Sequence, residues 1–195
     1  MPSSPDVTVV IPTIPPRSAY LARAISSVSR QSLPVAQIII PQDTARAGAA
    51  KNRQAGLEAV RTPWVAFLDD DDEFYPNHLE LLTRHAADTD ADYVFSWYEV
   101  VGGTDPRPDE FGLPWDPEAP RQTTITTLVR TELAQAVGFV WEDDDLASPD
   151  RHYAGEDWFF TQGCAAQGAT ISHLPEKTWF WHHHGGNTSG LPNRW

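Results

Sequence analysis

The chain has 195 residues, a length that suits one domain, and its hydrophobic fraction of 41% is large enough to form a core. The formal net charge of −13 argues against a nucleic-acid or anionic-membrane partner, because such partners require a basic surface. The sequence has one cysteine, no signal-peptide pattern and no apolar run of membrane-spanning length. We therefore expect a cytoplasmic protein without an integral membrane segment.

Strands and helices alternate over the first hundred residues. Short apolar runs predict strands at VTVVI (7–11), QIII (37–40), WVAFL (64–68) and DYVFSWYEV (92–100). Helical spacing of apolar or small residues predicts helices at 18–31, 47–60 and 77–87. This order is typical of βαβ units, so we expect an α/β fold with a mostly parallel, Rossmann-like central sheet flanked by helices.

The second half of the chain differs in composition. Residues 102–122 are rich in proline, glycine and acidic residues and lack periodicity, which predicts a long surface loop that acts as a mobile lid. Beyond it we expect a short strand and a helix ending near Gly138, a helix from Gly155, and two short strands within 171–186. We treat 1–195 as a single domain with two halves, 1–101 and 102–195.

Four consecutive aspartates, Asp69 to Asp72, follow the predicted strand in WVAFLDDDDEFYP. In an open parallel sheet, ligands bind beyond the carboxyl ends of the strands, which is where these residues are expected. Carboxylates there could hold Mg²⁺ or Mn²⁺, ions that take oxygen ligands and bridge substrate phosphates. An isolated acidic run is more often a solvated turn, so both interpretations remain open on this motif alone.

Five motifs occur in one fixed order: VTVVIPT, GAAKNRQAGLEAV, WVAFLDDDDEFYP, GEDWFF and HHHGGNTSG. In this order, from Val7 to Ser189, they resemble the family-2 glycosyltransferases, which have the GT-A fold. Asp69, Asp71 and Asp72 match the LDxDDxxxP version of that family's DxD motif. The resemblance implies a nucleotide-diphospho-sugar donor, most commonly a UDP-sugar, with Mn²⁺ or Mg²⁺ as cofactor. The acceptor would be a glycan, a protein or a small molecule.

The resemblance also implies roles for individual residues. The donor half, 1–101, would bind the nucleotide sugar through Pro12, Thr13, Asp43, Lys51, Asn52, Asp69 and Asp70. The metal would be held by Asp71, Asp72 and His184. The second half, 102–195, would carry the catalytic base Asp157, with Glu156 as its alternative. On the acceptor side we place Trp158 and Trp97, whose rings could stack on a sugar, and Arg130.

The chemistry of sugar transfer supports the same assignments. The leaving diphosphate gains charge, so a cation should neutralise it, and the acceptor hydroxyl needs a base to take its proton. A base opposite the leaving group, such as Asp157, gives inversion at the anomeric carbon. Acidic residues are also common at the start of a helix, which is the alternative explanation for Glu156 and Asp157.

Two other functional classes remain open from the residues. A nucleotidyltransferase on a related sheet would carry a glycine-rich loop after the first strand, whereas this chain has IPTIPPRSAY there. A non-catalytic carbohydrate- or metal-binding module would keep the fold without needing an acidic residue at position 157.

The three consecutive histidines cannot all serve one site. On a strand, His182 and His184 face one side and His183 faces the other. By the resemblance, His184 in HGGNTS best fits the residue that closes the site from the C-terminal side.

Overall fold

The computed structural model of the chain describes residues 6–45, 47–118, 124–139 and 155–185. Over these ranges seven strands form one sheet in the order β2-β1-β3-β6-β5-β7-β4. The strands are β1 Val7–Val10, β2 Gln37–Ile39, β3 Trp64–Phe67, β4 Glu73–Phe74, β5 Tyr93–Val101, β6 Thr127–Arg130 and β7 Ile171–His182. The helices are α1 Ser18–Ser29, α2 Ala49–Glu58, α3 His78–Thr89, α4 Thr131–Val137 and α5 Glu156–Ala166, with short 3-10 helices at Pro15–Arg17 and Pro108–Glu110.

Five of the seven strands run in the same direction. β1 is parallel to β2 and β3, and β5 is parallel to β7. β6 is antiparallel to both β3 and β5, and the two-residue β4 is antiparallel to β7. The expectation of an α/β fold with a mostly parallel sheet is therefore confirmed.

The sheet separates two hydrophobic cores. Alternate residues of β3 point to opposite faces: Ala66 joins the core beneath α1 and α3, and Phe67 joins the core beneath α2, α4 and α5. Because the central strands are covered on both faces, they read as continuous apolar runs. This double burial explains why the strands were predictable from short β-branched segments.

The predicted pair of strands near the C-terminus is wrong in one respect. Residues 171–182 form the single strand β7, which pairs with β5 along its whole length. The register shifts where Ser96 pairs with Leu174 and Trp97 pairs with Lys177, so two residues bulge out between them. The exposed Pro175 lies in that bulge, away from the two residues of β7 that pair with β4, where a missing backbone N–H is tolerated.

The described part of the predicted lid, residues 102–118, is attached to the sheet. Asp105 accepts hydrogen bonds from Trp97 Nε1 at 3.1 Å and from the Tyr98 hydroxyl at 3.0 Å. The carbonyl of Leu113 lies 2.6 Å from His173 Nδ1, and Trp115 packs against the core beneath α5. These contacts fix the loop along β5 and β7, and its closure over a donor stays a prediction.

Within the described residues, no helix has both the length and the apolar character needed to cross a membrane.

Candidate functional site

The site lies at the edge of the sheet where the parallel strands end, called here the carboxyl edge. Thr13 follows β1, Asp43 follows β2, Asp69 follows β3, and His182 ends β7. Because these strands share one direction, their carboxyl ends bring these residues to the same edge.

Three of the four aspartates are buried at this edge, so the run does not form a solvated turn, and Asp69 is partly exposed. Asp70, Asp71 and Asp72 are 3%, 7% and 3% exposed. One carboxylate oxygen from each of Asp69, Asp71 and Asp72 lies within 4.8 Å of the other two. Burial, together with the neighbouring aspartates, raises the pKa of Asp71 and raises that of Asp72 further. An all-oxygen donor set with excess negative charge fits a hard divalent cation, so these residues suit the metal that the sequence motif predicted.

Part of the counter-charge comes from the loop after β1. Arg17 Nη1 lies 2.9 Å from Asp70 Oδ1 and 3.1 Å from Asp71 Oδ2. The Thr13 hydroxyl donates to Asp70 Oδ2 at 2.6 Å. Asp70 therefore holds the donor-side loop in place, which gives it an organising role beside its predicted place in the donor site.

Arg53 connects the aspartates to the helix that carries the predicted base. Its side chain is 5% exposed and pairs with Asp69 and Glu156, while its Nη1 lies 3.5 Å from Asp157 Oδ1. Burial alone would lower the pKa of Arg53, but the three carboxylates raise it, so it stays charged. One guanidinium thus joins α2, the end of β3 and α5.

Close packing of α2 brings Arg53 to this position. A Cβ atom on Gly56 would lie 2.6 Å from Val10 Cγ1, so the glycine allows the helix to approach β1 closely. Arg53 lies on the same buried face of the helix as Gly56 and Leu57.

Replacing Arg53 with methionine is expected to destabilise the protein by about 3–5 kcal/mol, because three carboxylates would lose their buried cation. The measurement is urea unfolding followed by circular dichroism. Arg23→Met is the control, since Arg23 is 43% exposed and 3.9 Å from Glu73, and should cost less than about 1 kcal/mol. Equal effects of the two changes would contradict the role given to Arg53.

Asp157 has the environment of a proton acceptor. It lies in the first turn of α5, and its Oδ1 atom is buried without a hydrogen bond in the described part of the chain. Burial raises the pKa of Asp157 to about 8, although Arg53 acts in the opposite direction. A carboxylate of raised pKa that is partly exposed and has one buried oxygen can take a proton from a bound hydroxyl group.

The end of β7 closes the site from the other side. The backbone N–H of His182 donates to Asp72 Oδ1 at 2.9 Å, and His184 Nε2 lies 3.1 Å from Asp71 Oδ2. The ring of His184 stacks on Tyr20 with 4.6 Å between centroids. His183 instead packs edge-on against Trp181, so the expected alternation of the three histidines is observed. The residues after Gly185 lie outside the described ranges.

The remaining donor-side residues organise the loops after β1 and β2. Asn52 Nδ2 donates to the carbonyls of Thr13 and Pro41, both at 3.1 Å. Asp43 accepts hydrogen bonds from the backbone N–H groups of Ala45, Ala47 and Gly48. With the exposed Lys51, Asp43 and Asn52 line an open depression of about 190 Å³ beside this edge. Pro12 is buried below it.

Two acceptor-side assignments need correction. Trp97 is 3% exposed and its indole faces Asp105 and Tyr98, so it presents no free ring face to a sugar. Arg130 pairs with Trp64 at the start of β3, about 16 Å along the strand from the aspartates at roughly 3.3 Å per residue. Trp158, next to Asp157, is partly exposed, and its place on the acceptor side stays a prediction.

Sequence reasoning did not identify Arg53 and Arg17. The spacing of Arg53 from Gly56 and Leu57 is the signal that could have identified it, because it puts Arg53 on the buried face of the helix. The sequence offers no comparable signal for Arg17, because its contacts depend on the position of a 3-10 turn relative to β3.

The fold and the position of the aspartates define an α/β protein with a ligand site at the carboxyl ends of its parallel strands. Sequence comparison is more specific, since the profile of glycosyl transferase family 2 matches residues 38–138. That range is more than half of the chain, and the chain belongs to this family. No curated protein matches the sequence significantly.

Solved structures match the fold. The structure of S. aureus TarS 1–349 in complex with UDP-GlcNAc has a TM-score of 0.73 and 19% identity, covering 96% of this chain and 62% of that one. The complex of the same fragment with UDP gives 0.69 and 18%, covering 91% and 60%. The chain therefore spans about three fifths of the length of these relatives. The match confirms the GT-A type of fold that the motif order predicted.

Proposed function

We propose that the protein is an inverting, metal-dependent glycosyltransferase that moves a sugar from a nucleotide-diphospho-sugar to an acceptor hydroxyl. One observation carries the proposal: a single buried guanidinium, Arg53, lies between a three-carboxylate cluster and the carboxylate of Asp157, whose Oδ1 atom is buried 3.5 Å from Arg53 Nη1. The two groups that sugar transfer requires, a cation site and a base, thus lie on opposite sides of one side chain.

In the proposed reaction, the acceptor oxygen forms a bond to the anomeric carbon as the bond from that carbon to the diphosphate breaks. The carboxylate of Asp157 takes the proton of the acceptor hydroxyl, and the nucleoside diphosphate leaves. Arg53 orients Asp157 and keeps part of its population ionised. A divalent cation, Mn²⁺ or Mg²⁺, held by Asp71, Asp72 and His184, would neutralise the charge of the leaving diphosphate.

The donor is proposed to bind in the half formed by residues 1–101, and the acceptor in the half formed by 102–195. The depression lined by Asp43, Lys51 and Asn52 would take the nucleoside, and Thr13 and Asp69 would lie along the ribose and diphosphate. Crystal structures of TarS with UDP and UDP-GlcNAc support a UDP-sugar as donor. The single cysteine, Cys164, is buried and makes no disulfide, which is compatible with a proposed cytoplasmic location.

We expect UDP to raise the melting temperature of the protein in the presence of Mn²⁺ and to have much less effect in EDTA. A ligand that binds the native state stabilises it by mass action, at about 2.7 kcal/mol when its concentration is 100 times Kd. The measurement is a thermal-shift panel of UDP, GDP and dTDP with each metal. A panel without any nucleotide-dependent shift would contradict the proposed donor site.

Adjacent histidines provide a matched pair of variants for the same measurement. His184→Ala should reduce the Mn²⁺-dependent shift, because His184 Nε2 is 3.1 Å from Asp71 Oδ2. His183→Ala should leave it unchanged, since that ring faces Trp181. Equal effects would remove His184 from the proposed set of metal ligands.

A further inference from the structure

Arg17 is a charged residue for which the proposed mechanism has no role. It ends the 3-10 turn Pro15–Arg17 that leads into α1, and its side chain is 22% exposed. From this position its Nη1 atom pairs with both Asp70 Oδ1 and Asp71 Oδ2. A side chain from the rim of the site thus places a positive charge among carboxylates suited to hold a metal.

The contact involves the same oxygen atom that His184 contacts. Asp71 Oδ2 lies 3.1 Å from Arg17 Nη1 and 3.1 Å from His184 Nε2. A carboxylate oxygen that accepts from both groups has its two lone pairs engaged. A cation that takes this oxygen must displace at least one of them, and the guanidinium also repels it at close range.

The other two arginines near the aspartates are placed differently. Arg53 is 5% exposed and is held by carboxylates from the segment after β3 and from α5. Arg23 contacts the backbone carbonyl of Asp71 at 3.4 Å and Glu73 at 3.9 Å, and does not touch a carboxylate of the cluster. Among the three, Arg17 combines direct contact with the cluster and access to solvent.

We propose that Arg17 stays paired with Asp70 and Asp71 in the metal-free protein and moves onto the diphosphate of the donor when metal and nucleotide bind together. This inference rests on the metal and donor sites of the proposed function. A divalent cation replaces the charge that Arg17 supplied to Asp70 and Asp71, and the diphosphate supplies the released guanidinium with a bidentate partner. Metal and nucleotide should therefore bind cooperatively, and metal alone should bind weakly.

The test is calorimetric titration of Mn²⁺ into the wild type, Arg17→Gln and Arg23→Gln, with and without UDP. Without UDP, R17Q should bind Mn²⁺ roughly tenfold more tightly than the wild type, because a nearby positive charge and a competing donor are removed. R23Q removes the same charge from an exposed position outside the cluster, so its Mn²⁺ affinity should change by less than about threefold.

The second part of the test concerns coupling between the two ligands. UDP should tighten Mn²⁺ binding in the wild type, and this coupling factor should fall several-fold in R17Q, because no guanidinium remains to move onto the diphosphate. Unchanged Mn²⁺ affinity and coupling in R17Q would overturn the inference and leave the metal site standing. An equal rise of Mn²⁺ affinity in R17Q and R23Q would also overturn the inference, because the rise would then depend only on the net charge of the protein.

Failure of the proposed function gives a different result. If neither the wild type nor R17Q binds Mn²⁺, with or without UDP, the result contradicts both the proposed metal site and the inference about Arg17. Melting curves establish that each variant is folded. If R17Q does not fold, Arg17→Lys replaces it: lysine lacks the fork that spans two carboxylates, so Mn²⁺ should bind more tightly than to the wild type. Affinity equal to that of the wild type would overturn the inference.

Discussion

Replacing Asp157 with asparagine should lower the rate of sugar transfer by roughly two or more orders of magnitude, the usual scale for loss of a general base. Asparagine keeps the size of the side chain but cannot take a proton. Donor affinity should be retained, because Asp157 contacts Arg53 and lies apart from the depression next to Asp43. Steady-state kinetics with a saturating donor provide the measurement. Near-normal transfer would remove Asp157 from this role, and Glu156→Gln would then be the next variant to measure.

The pH dependence gives a second check on the same residue. Because burial raises the pKa of Asp157 to about 8, the base is ionised only on the alkaline side, and the transfer rate should rise with pH through that value. Between about pH 4 and pH 8, Asp157 keeps its proton in the folded state but has lost it in the unfolded chain. The contribution of Asp157 to the free energy of unfolding therefore declines as pH rises through this range. In Asp157→Asn the residual transfer rate should no longer rise with pH through this range. At alkaline pH the variant should have a melting temperature no lower than that of the wild type.

Replacing Asp71 with alanine should reduce donor turnover by roughly a thousandfold or more, because the charge of the leaving diphosphate would lose its counter-ion. Asp71 belongs to the cluster whose oxygens lie within 4.8 Å of one another. The fold should survive, since burial and neighbouring aspartates raise the pKa of Asp71 and its removal relieves that repulsion. Turnover and melting temperature measured on the same sample separate these two effects.

Glu73→Ala is the matched control for Asp71→Ala. Glu73 lies two positions further along the chain and contacts His182 at 3.0 Å and Arg23 at 3.9 Å, outside the three-carboxylate cluster. Its replacement should leave most of the turnover. If the two variants lose activity equally, general acidity of the segment would explain the result better than a defined metal site.

The centre of the sheet could be predicted from the sequence because strands such as β1 and β3 are buried on both faces. Val7–Val10 and Trp64–Phe67 are buried throughout, and such strands appear as unbroken apolar runs. The two-residue β4 gives no such signal, since its pairing with β7 depends on contacts more than a hundred residues apart. The sequence also did not show that β7 is a single strand. Pro175 indicates a strand break, and only the pairing with β5 reveals the bulge that accommodates it.

The aspartates were predictable as a site, but their counter-charges were not. Position after a strand of a parallel sheet was enough to place Asp69 to Asp72 at the carboxyl edge. The cations that neutralise them in this structure are arginines from the β1–α1 turn and from α2, Arg17 and Arg53. Such pairings join segments far apart in sequence and depend on helix packing, which no local pattern specifies. Trp97 illustrates the same limit, because an aromatic residue within a predicted strand can equally belong to the core.

The most direct test of the proposed activity is release of nucleoside diphosphate from nucleotide sugars by the purified wild-type protein. UDP-GlcNAc and a panel of other UDP-, GDP- and dTDP-sugars would be incubated with Mn²⁺ or with excess EDTA, and the products separated by chromatography. We predict release of the diphosphate from at least one donor with Mn²⁺ and loss of that release in EDTA. Full turnover in EDTA would contradict metal dependence, and an absence of both binding and release across the panel would contradict the proposed function.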